Sequence, residues 1–294
     1  MRLMSAVLGA AFAFSLACNS AQAEVPLDGY IDIDPKLLTG ADPRQIGRLL
    51  EASHLKNGPV RTAVTAFAVN TGINLVLIDA GTADAFGPTL GRLPEALAMA
   101  DLAAEQVDDI MITHLHLDHI GGLLNAQGEP AFPNARLHVS GNELEAWRKI
   151  AADSKADATL RKFTQQGLHT IDAYGASLNL IEPGDEILPG IRALDAPGHT
   201  PGHLIYEISS AGQRLLVTGD VIHVGPVQFA QPEIAINYDS DQKTAIATRR
   251  RLFTQWAKDG TLIAATHLPF PSLGYLRKTE RAFAFDPLPW QLGW

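Results

Sequence analysis

Between Thr113 and Gly122 the chain reads Thr-His-Leu-His-Leu-Asp-His-Ile-Gly-Gly, which puts His114, His116, Asp118 and His119 into six residues directly after the apolar run Ile110-Met111-Ile112. Neutral imidazole nitrogens and carboxylate oxygens in such a cluster are ligands for zinc and its neighbours, at roughly 2.0–2.2 Å per bond for zinc. A strand ending this way delivers its ligands at a sheet edge, where a turn can fan them around a pair of cations. A histidine-rich surface turn would explain the polarity of the stretch, but not its regular spacing or the buried strand before it. Three more coordinating residues follow apolar runs in the same manner: His199 within Pro-Gly-His-Thr-Pro-Gly-His203, Asp220 after Leu215 to Gly219, and His267 after Leu262 to Thr266. Four strand ends that each supply a ligand are far harder to obtain by chance than one motif, and loops at one edge of a scaffold are where sites are built.

The chemistry open to such a set is hydrolysis. Two cations roughly 3.5–4 Å apart can deprotonate a shared water, polarise a carbonyl or phosphoryl oxygen and stabilise a leaving alkoxide. No nucleophilic side chain is required, and the rival serine–histidine arrangement lacks its Gly-x-Ser-x-Gly elbow in this sequence.

The elements that must position these residues can be read from patterning. Two β-rich runs around Asn70-Thr71-Gly72, within Arg61 to Asp79, predict a hairpin. The spacing of Ile46, Leu49 and Leu50 predicts a helix that covers an edge, and Pro94 opens a helix to about Ala104. A strand over Asp109 to Thr113 then presents the metal cluster. Arg136 to Ser140 reads as a strand, Asn142 to Ala151 as a helix carrying Trp147, and Asp153 to Gly175 as a polar helical span. Ile191 to Leu194 leads to the His199 turn, Leu204 to Ile208 and Arg214 to Thr218 form a hairpin, Thr244 to Lys258 is an amphipathic helix, and Leu262 to His267 is a last strand. Strands in two batches, each with helices, predict an α/β fold in which two sheets pack together with helices outside.

With 294 residues, 46% of them hydrophobic, the chain can bury a sizeable core. The opening MRLMSAVLGAAFAFSLACNSAQA joins Arg2 to an apolar stretch and ends small-x-small at Ala21-Gln22-Ala23, the pattern of a secretory signal peptide. Its apolar core is short for a span of about 20 residues, so stable membrane insertion is not expected. Cleavage after Ala23 would leave one domain over 24–294, periplasmic or secreted. It would also leave no thiol, because the single cysteine is Cys18. A lipid anchor on Cys18 is the alternative, although Ser15 stands where such a signal has leucine. The formal charge of -9 opposes the basic footprint that nucleic acid requires.

Taken together, the cluster at 114–119, the Pro-Gly-His199 turn, Gly219-Asp220 and Thr266-His267 resemble the metallo-β-lactamase-fold hydrolases over nearly the whole of residues 24–294. Gly219-Asp220-Val-Ile-His-Val-Gly-Pro-Val-Gln-Phe229, Asp239-Ser240-Asp241, His267 to Pro271, Phe86 to Arg92 and Phe132 to Ala135 are similar to the exported methyl parathion hydrolase branch. The resemblance implies an αββα sandwich of two mixed sheets with helices on the outer faces. It also implies a centre of two divalent metal ions, zinc first, with iron, manganese or cobalt as alternatives. The substrate would be a small lactone, aryl ester or organophosphate triester, and a homodimer is plausible. It puts His114, His116 and His199 on one metal, Asp118, His119 and His267 on the other, and Asp220 between them, with Asp118 and Asp220 taking part in catalysis. Asp79 and His203 would support the ligands from behind. Phe86, Trp147, Phe163, His223, Ile236 and Tyr238 would line the substrate pocket. Ala80 stands where the family commonly has threonine, and Asp220 departs from the common antibiotic-hydrolysing classes. His54, His138 and His169 have no coordinating neighbours and read as ordinary packing or surface residues. An iron oxidoreductase of the same fold and a non-catalytic metal-binding protein are the competing readings. Metal analysis with oxygen uptake would separate the first, and a panel of chromogenic esters the second.

Overall fold

The computed structural model describes residues 14–15, 21–280 and 282–288. Its centre is a pair of seven-stranded sheets. The first runs Phe14–Ser15, Gln22–Glu24, Phe67–Asn70, Leu75–Ile78, Asp109–Met111, Arg136–Ser140 and Leu178–Ile181; it is antiparallel up to Leu75–Ile78 and parallel from there on. The second runs Glu186–Leu188, Ile191–Asp195, Leu204–Ser210, Gln213–Val217, Leu262–Ala264, Leu273–Lys278 and Phe283–Pro287; only the Gln213–Val217 and Leu262–Ala264 pair is parallel.

Side-chain alternation along these strands divides the apolar residues into three layers. Val76, Ile78 and Met111 meet Leu204, Tyr206, Val217 and Ala264 between the sheets. Leu77, Ile110 and Leu137 point outward under the helices that carry Leu97, Leu144 and Trp147. On the far side Ile205, Leu216 and Ile263 lie under Leu252, Phe253 and Trp256 of the helix Gln242–Asp259. The result is the αββα sandwich. No helix among the described residues is long and apolar enough to cross a membrane.

Three expectations change in detail, the first being that Leu262–Ala264 is not the last strand, since Leu273–Lys278 and Phe283–Pro287 follow it in the second sheet. The run from Arg61 is not one arm of a hairpin: Val60–Thr65 pairs with Leu27–Ile33 in a separate two-stranded sheet, and only Phe67–Asn70 pairs with Leu75–Ile78. Residues 62–69 are all buried, whereas a strand with one wet face would alternate. The helix opened by Pro94 spans only Leu93–Met99. Cys18 lies outside the described residues. Gln22–Glu24 is a strand paired with Phe67–Asn70, so the expected cleavage point after Ala23 falls within it.

A fourth cluster sets the wall of the site. Ile33, Leu38, Ile46, Leu50, Val227, Ile234 and Ile236 pack together where the helix Pro43–Ala52 meets two short two-stranded sheets. The edge helix inferred from Ile46 and Leu50 thus holds a flank of the cleft.

Candidate metal centre

The ligand-bearing segments all leave the sandwich at the same edge. His114 lies just past Asp109–Met111, and Asp118 and His119 sit on the one-turn helix Leu117–Ile120. His199 is in the turn after Ile191–Asp195, Asp220 is in the one-turn 3-10 segment Gly219–Val221 after Gln213–Val217, and His267 follows Leu262–Ala264. One strand of the first sheet and three of the second therefore converge on one point. The seam is tied where Leu204 N–H donates to Thr113 O at 2.9 Å and the Tyr206 hydroxyl donates to Ile112 O at 2.7 Å.

There the donor atoms gather in two groups of four that share one carboxylate. His114, His116, His199 and Asp220 form the first and Asp118, His119, Asp220 and His267 the second, with the ligand atoms of each within 4.8 Å of one another. Oδ2 of Asp220 is 3.6 Å from His114 Nε2 and 3.3 Å from both His199 Nε2 and His267 Nε2, while Oδ1 is 3.2 Å from His119 Nε2. Asp118 Oδ2 stands 3.3 Å from His267 Nε2.

The ring orientations are set from behind. His119 Nδ1 donates to Asp79 Oδ2 at 2.7 Å, His199 Nδ1 to Asp239 Oδ1 at 3.0 Å and His267 Nδ1 to the Ala63 carbonyl at 3.0 Å. Each bond occupies the outer nitrogen and turns Nε2 toward the centre, the arrangement that metal-binding histidines need. Asp79 also accepts the Thr113 amide at 2.9 Å, and His203 Nε2 accepts the Asp220 amide at 3.0 Å. Gly219, at φ +49, permits that turn: a Cβ there would stand 2.7 Å from His203 Nε2.

Cations fit this donor set. His116 Nδ1 lies 3.0 Å from both His114 Nε2 and His199 Nε2, so three ring nitrogens converge on one point, and His119 Nε2 and Asp220 Oδ1 are buried without a hydrogen-bond partner. Lone pairs packed this way need positive charge between them. Without metal the charge is supplied by protons. Burial opposes the imidazolium of His199 and of His267, but the carboxylates beside them prevail and push these groups up to about 9 and about 10. His119 is raised in the same way against burial by Asp220, Asp79 and Asp118. Burial pushes His114, His203 and His223 down and takes His116 down to about 3.

A cleft of 620 Å³ opens over the centre. Phe86, Phe163, His223 and Tyr238 line it, together with Leu160, Ile31 and Asn237. His223 Nε2 is 3.1 Å from Asp220 Oδ2, and its ring stacks on His267 at 5.2 Å. Two of the expected lining residues do not reach the cleft. Trp147 is buried behind it, its ring 6.0 Å from His116 and 5.9 Å from Phe163, because helical spacing places it with Leu144 on the face turned to the sheet. Ile236 pairs with Leu38 and points into the fourth apolar cluster, so its neighbours Asn237 and Tyr238 face the opening instead. His138, read as ordinary, is a buried structural residue whose Nε2 donates to Asp109 at 2.7 Å. Asp239, Arg249 and Glu143 carry no role that is legible in the sequence. Asp239 could not be linked to His199 by spacing, nor Arg249 to Asp239, whose Oδ2 stands 3.6 Å from Arg249 Nη2, and an acid on the first turn of a helix, as Glu143 is, ordinarily serves the helix dipole.

The family model described as the metallo-beta-lactamase superfamily matches residues 59–267. The chain belongs to that superfamily. Among solved structures of the fold, the hydrolase AbOPH matches with a TM-score of 0.89 at 34% identity over 96% of this chain and 99% of its own. AidC, a dizinc quorum-quenching lactonase solved with an N-acyl-L-homoserine product, matches in fold with a TM-score of 0.87 at 24% identity, over 94% of this chain and 97% of its own. An N-acyl homoserine lactonase of Bacillus sp. is 29% identical over 127 residues, 42% of this chain and 43% of its own length. The chain spans about half the length of a matched Aspergillus versicolor relative, 52% of it at 26% identity. Superfamily membership and the two donor groups together mark this cleft as the candidate metal centre of a metallo-beta-lactamase fold.

Proposed function

We propose that this protein is a metal-dependent hydrolase that opens lactones and aryl esters at a binuclear centre, with organophosphate triesters as poorer substrates. The observation that carries the reading is the pair of four-donor groups sharing Asp220 at the floor of an aromatic-lined cleft. Similarity to lactonases of the same superfamily supports it. In the first half His114, His116, His199 and Asp220 would hold one divalent ion, and Asp118, His119, Asp220 and His267 the second, with zinc the best match to this donor chemistry. When bound, the ions supply Lewis acidity and an activated water.

The chain's own groups do the rest. Asp118, with 17% of its side chain exposed, opens onto the cleft and is placed to carry a proton to the departing alkoxide. Tyr238 is half-exposed at the rim and its phenol is pushed up by burial and by Asp118, so it stays protonated and can donate to the ester. Phe86, Leu160 and Phe163 offer apolar surface to an acyl or aryl group. His223 and Tyr238 add bulk and polarity to one wall. A planar lactone carbonyl tolerates such crowding better than a tetrahedral triester, and pocket contacts of this size shift discrimination by about 1–3 kcal/mol.

The decisive experiment compares kcat/KM for dihydrocoumarin and methyl parathion in the zinc-loaded wild type and in His223→Leu. The lactone is expected to be faster in the wild type and to lose part of its lead in the variant. A wild type faster on the phosphotriester would sink the preference, and an unchanged ratio in His223→Leu would remove the role given to that residue. We also propose export with cleavage after Ala23, which the intact mass of the periplasmic protein tests. A mass that includes residues 18–23 plus lipid would favour the anchored form.

A further inference from the structure

Glu143 is a fully buried carboxylate that the chemistry above does not use. It sits in the first turn of the helix Gly141–Ala152, which starts where the Ser140 hydroxyl accepts the Glu143 amide at 3.3 Å. Among the described residues no lysine or arginine pairs with it. Its oxygens instead accept two backbone amides from different loops: Oε1 takes Leu115 N–H at 3.2 Å and Oε2 takes Gly202 N–H at 2.8 Å. Leu115 stands between His114 and His116, and Gly202 closes the turn begun at His199. The approach is close enough that a Cβ on Gly202 would lie 2.2 Å from the Glu143 amide nitrogen. A buried carboxylate without a cation is costly: burial pushes the Glu143 carboxyl up, and the Gly202 amide, the Thr200 hydroxyl and the Leu115 amide offset part of that cost.

We infer that Glu143 is a positioning residue that clamps the two loops bearing His114, His116 and His199, so that this half of the centre has its ligating geometry before a cation arrives. The other half has anchors of its own, because His119 Nδ1 donates to Asp79 Oδ2 and His267 Nδ1 to the Ala63 carbonyl. Loss of Glu143 should therefore unbalance the two halves. This inference rests on the two-cation reading above.

Glu143→Gln is the informative change. The amide keeps the shape but has one acceptor oxygen, so its NH₂ must face one of the two N–H groups donor to donor. Metal-free protein would be titrated with zinc against a competing chelator and its histidine nitrogens followed by NMR. The wild type should take up two ions. Glu143→Gln should keep one near wild-type strength and bind the other at least tenfold more weakly, with His119 and His267 responding to the first equivalent and His114, His116 and His199 lagging. Wild-type affinity at both sites in the variant, or equal weakening of both, overturns the inference. Fewer than two ions in the wild type overturns the two-cation reading instead. Hydrogen exchange on the metal-free wild type tests the clamp whether or not the variant folds: the Leu115 and Gly202 amides should already be protected, and free exchange at both until zinc is added also refutes it.

Discussion

Asp220 shows how much one side chain carries in this molecule. Its two oxygens face His114, His119, His199, His223 and His267 at distances from 3.1 to 3.6 Å, and no other carboxylate belongs to both donor groups. Asp220→Ala should accordingly lower metal content and turnover together. Asp220→Asn keeps the volume and should be milder for folding, yet still severe for turnover. Elemental analysis alongside an aryl-ester assay checks this, and two tightly held metals with near-normal rates in Asp220→Ala would falsify the shared role. The preceding glycine makes a separate prediction. A methyl at Gly219 meets His203 Nε2 at 2.7 Å and the Thr113 Cβ at 2.9 Å, on a backbone at φ +49. Gly219→Ala should cost about 1–3 kcal/mol in denaturant unfolding, as overpacked sites do. It should also weaken zinc binding, because the His203 contact to the Asp220 amide is displaced.

At the scale of elements, the helices Gly141–Ala152 and Ala158–Asp172 divide their aromatic residues between the core and the cleft. Trp147 points inward, against Gly167, where a Cβ would come within 2.6 Å of the indole. Phe163 is only partly buried and turns its ring to the cleft beside His116. Replacing each by alanine should have opposite signatures. Trp147→Ala should cost about 3–5 kcal/mol of stability, since it empties a core site. Phe163→Ala should change unfolding much less and raise KM for aryl substrates. Paired denaturation curves and kinetics would show it, and a large KM effect with little stability loss in Trp147→Ala would return that residue to the pocket wall.

For the whole molecule the centre acts as a store of charge. In the metal-free chain His119, His199 and His267 are held protonated above the ordinary value of about 6.5, while burial keeps His114, His116, His203 and His223 neutral below it. The three raised groups contribute stability that is fully present below about pH 6.5 and fades as pH rises through 9 and 10. The four lowered groups act in the other direction: below about pH 6.5 the unfolded chain takes up protons that the folded one refuses, so stability falls as pH falls. Asp118 and Asp220 add to the acid side. Burial opposes their ionisation, yet the surrounding histidines hold both well below the usual carboxylate range, so their contribution is lost as pH falls through the acid range. The metal-free Tm should thus peak near pH 6.5 and decline toward pH 10. Zinc replaces the inward protons, so the loaded protein should lack that alkaline decline, and zinc uptake at neutral pH should release protons. Melting curves across pH with and without chelator test the pattern, and a metal-free Tm that climbs from pH 6.5 to 9 would contradict it.

What the sequence determined by itself is which residues could act as donors, and the kind of scaffold. Ligand chemistry is local: His114, His116, Asp118 and His119 lie within one turn and strand end, and each remaining donor follows an apolar run whose patterning marks a strand. The short unbroken apolar runs Val76-Leu77-Ile78 and Leu215-Leu216-Val217 mark strands buried on both faces in the same way. Only the tertiary structure decided which side chains stand behind and around those donors. Trp147 and Ile236 look suited to a pocket from their types, but a helix face and a strand pairing turn them into the core. Asp239 reaches His199, and Glu143 reaches Leu115 and Gly202, across 28 to 59 residues. Contacts of that separation follow from how two sheets and their loops pack against each other, a property that no local period in the chain records.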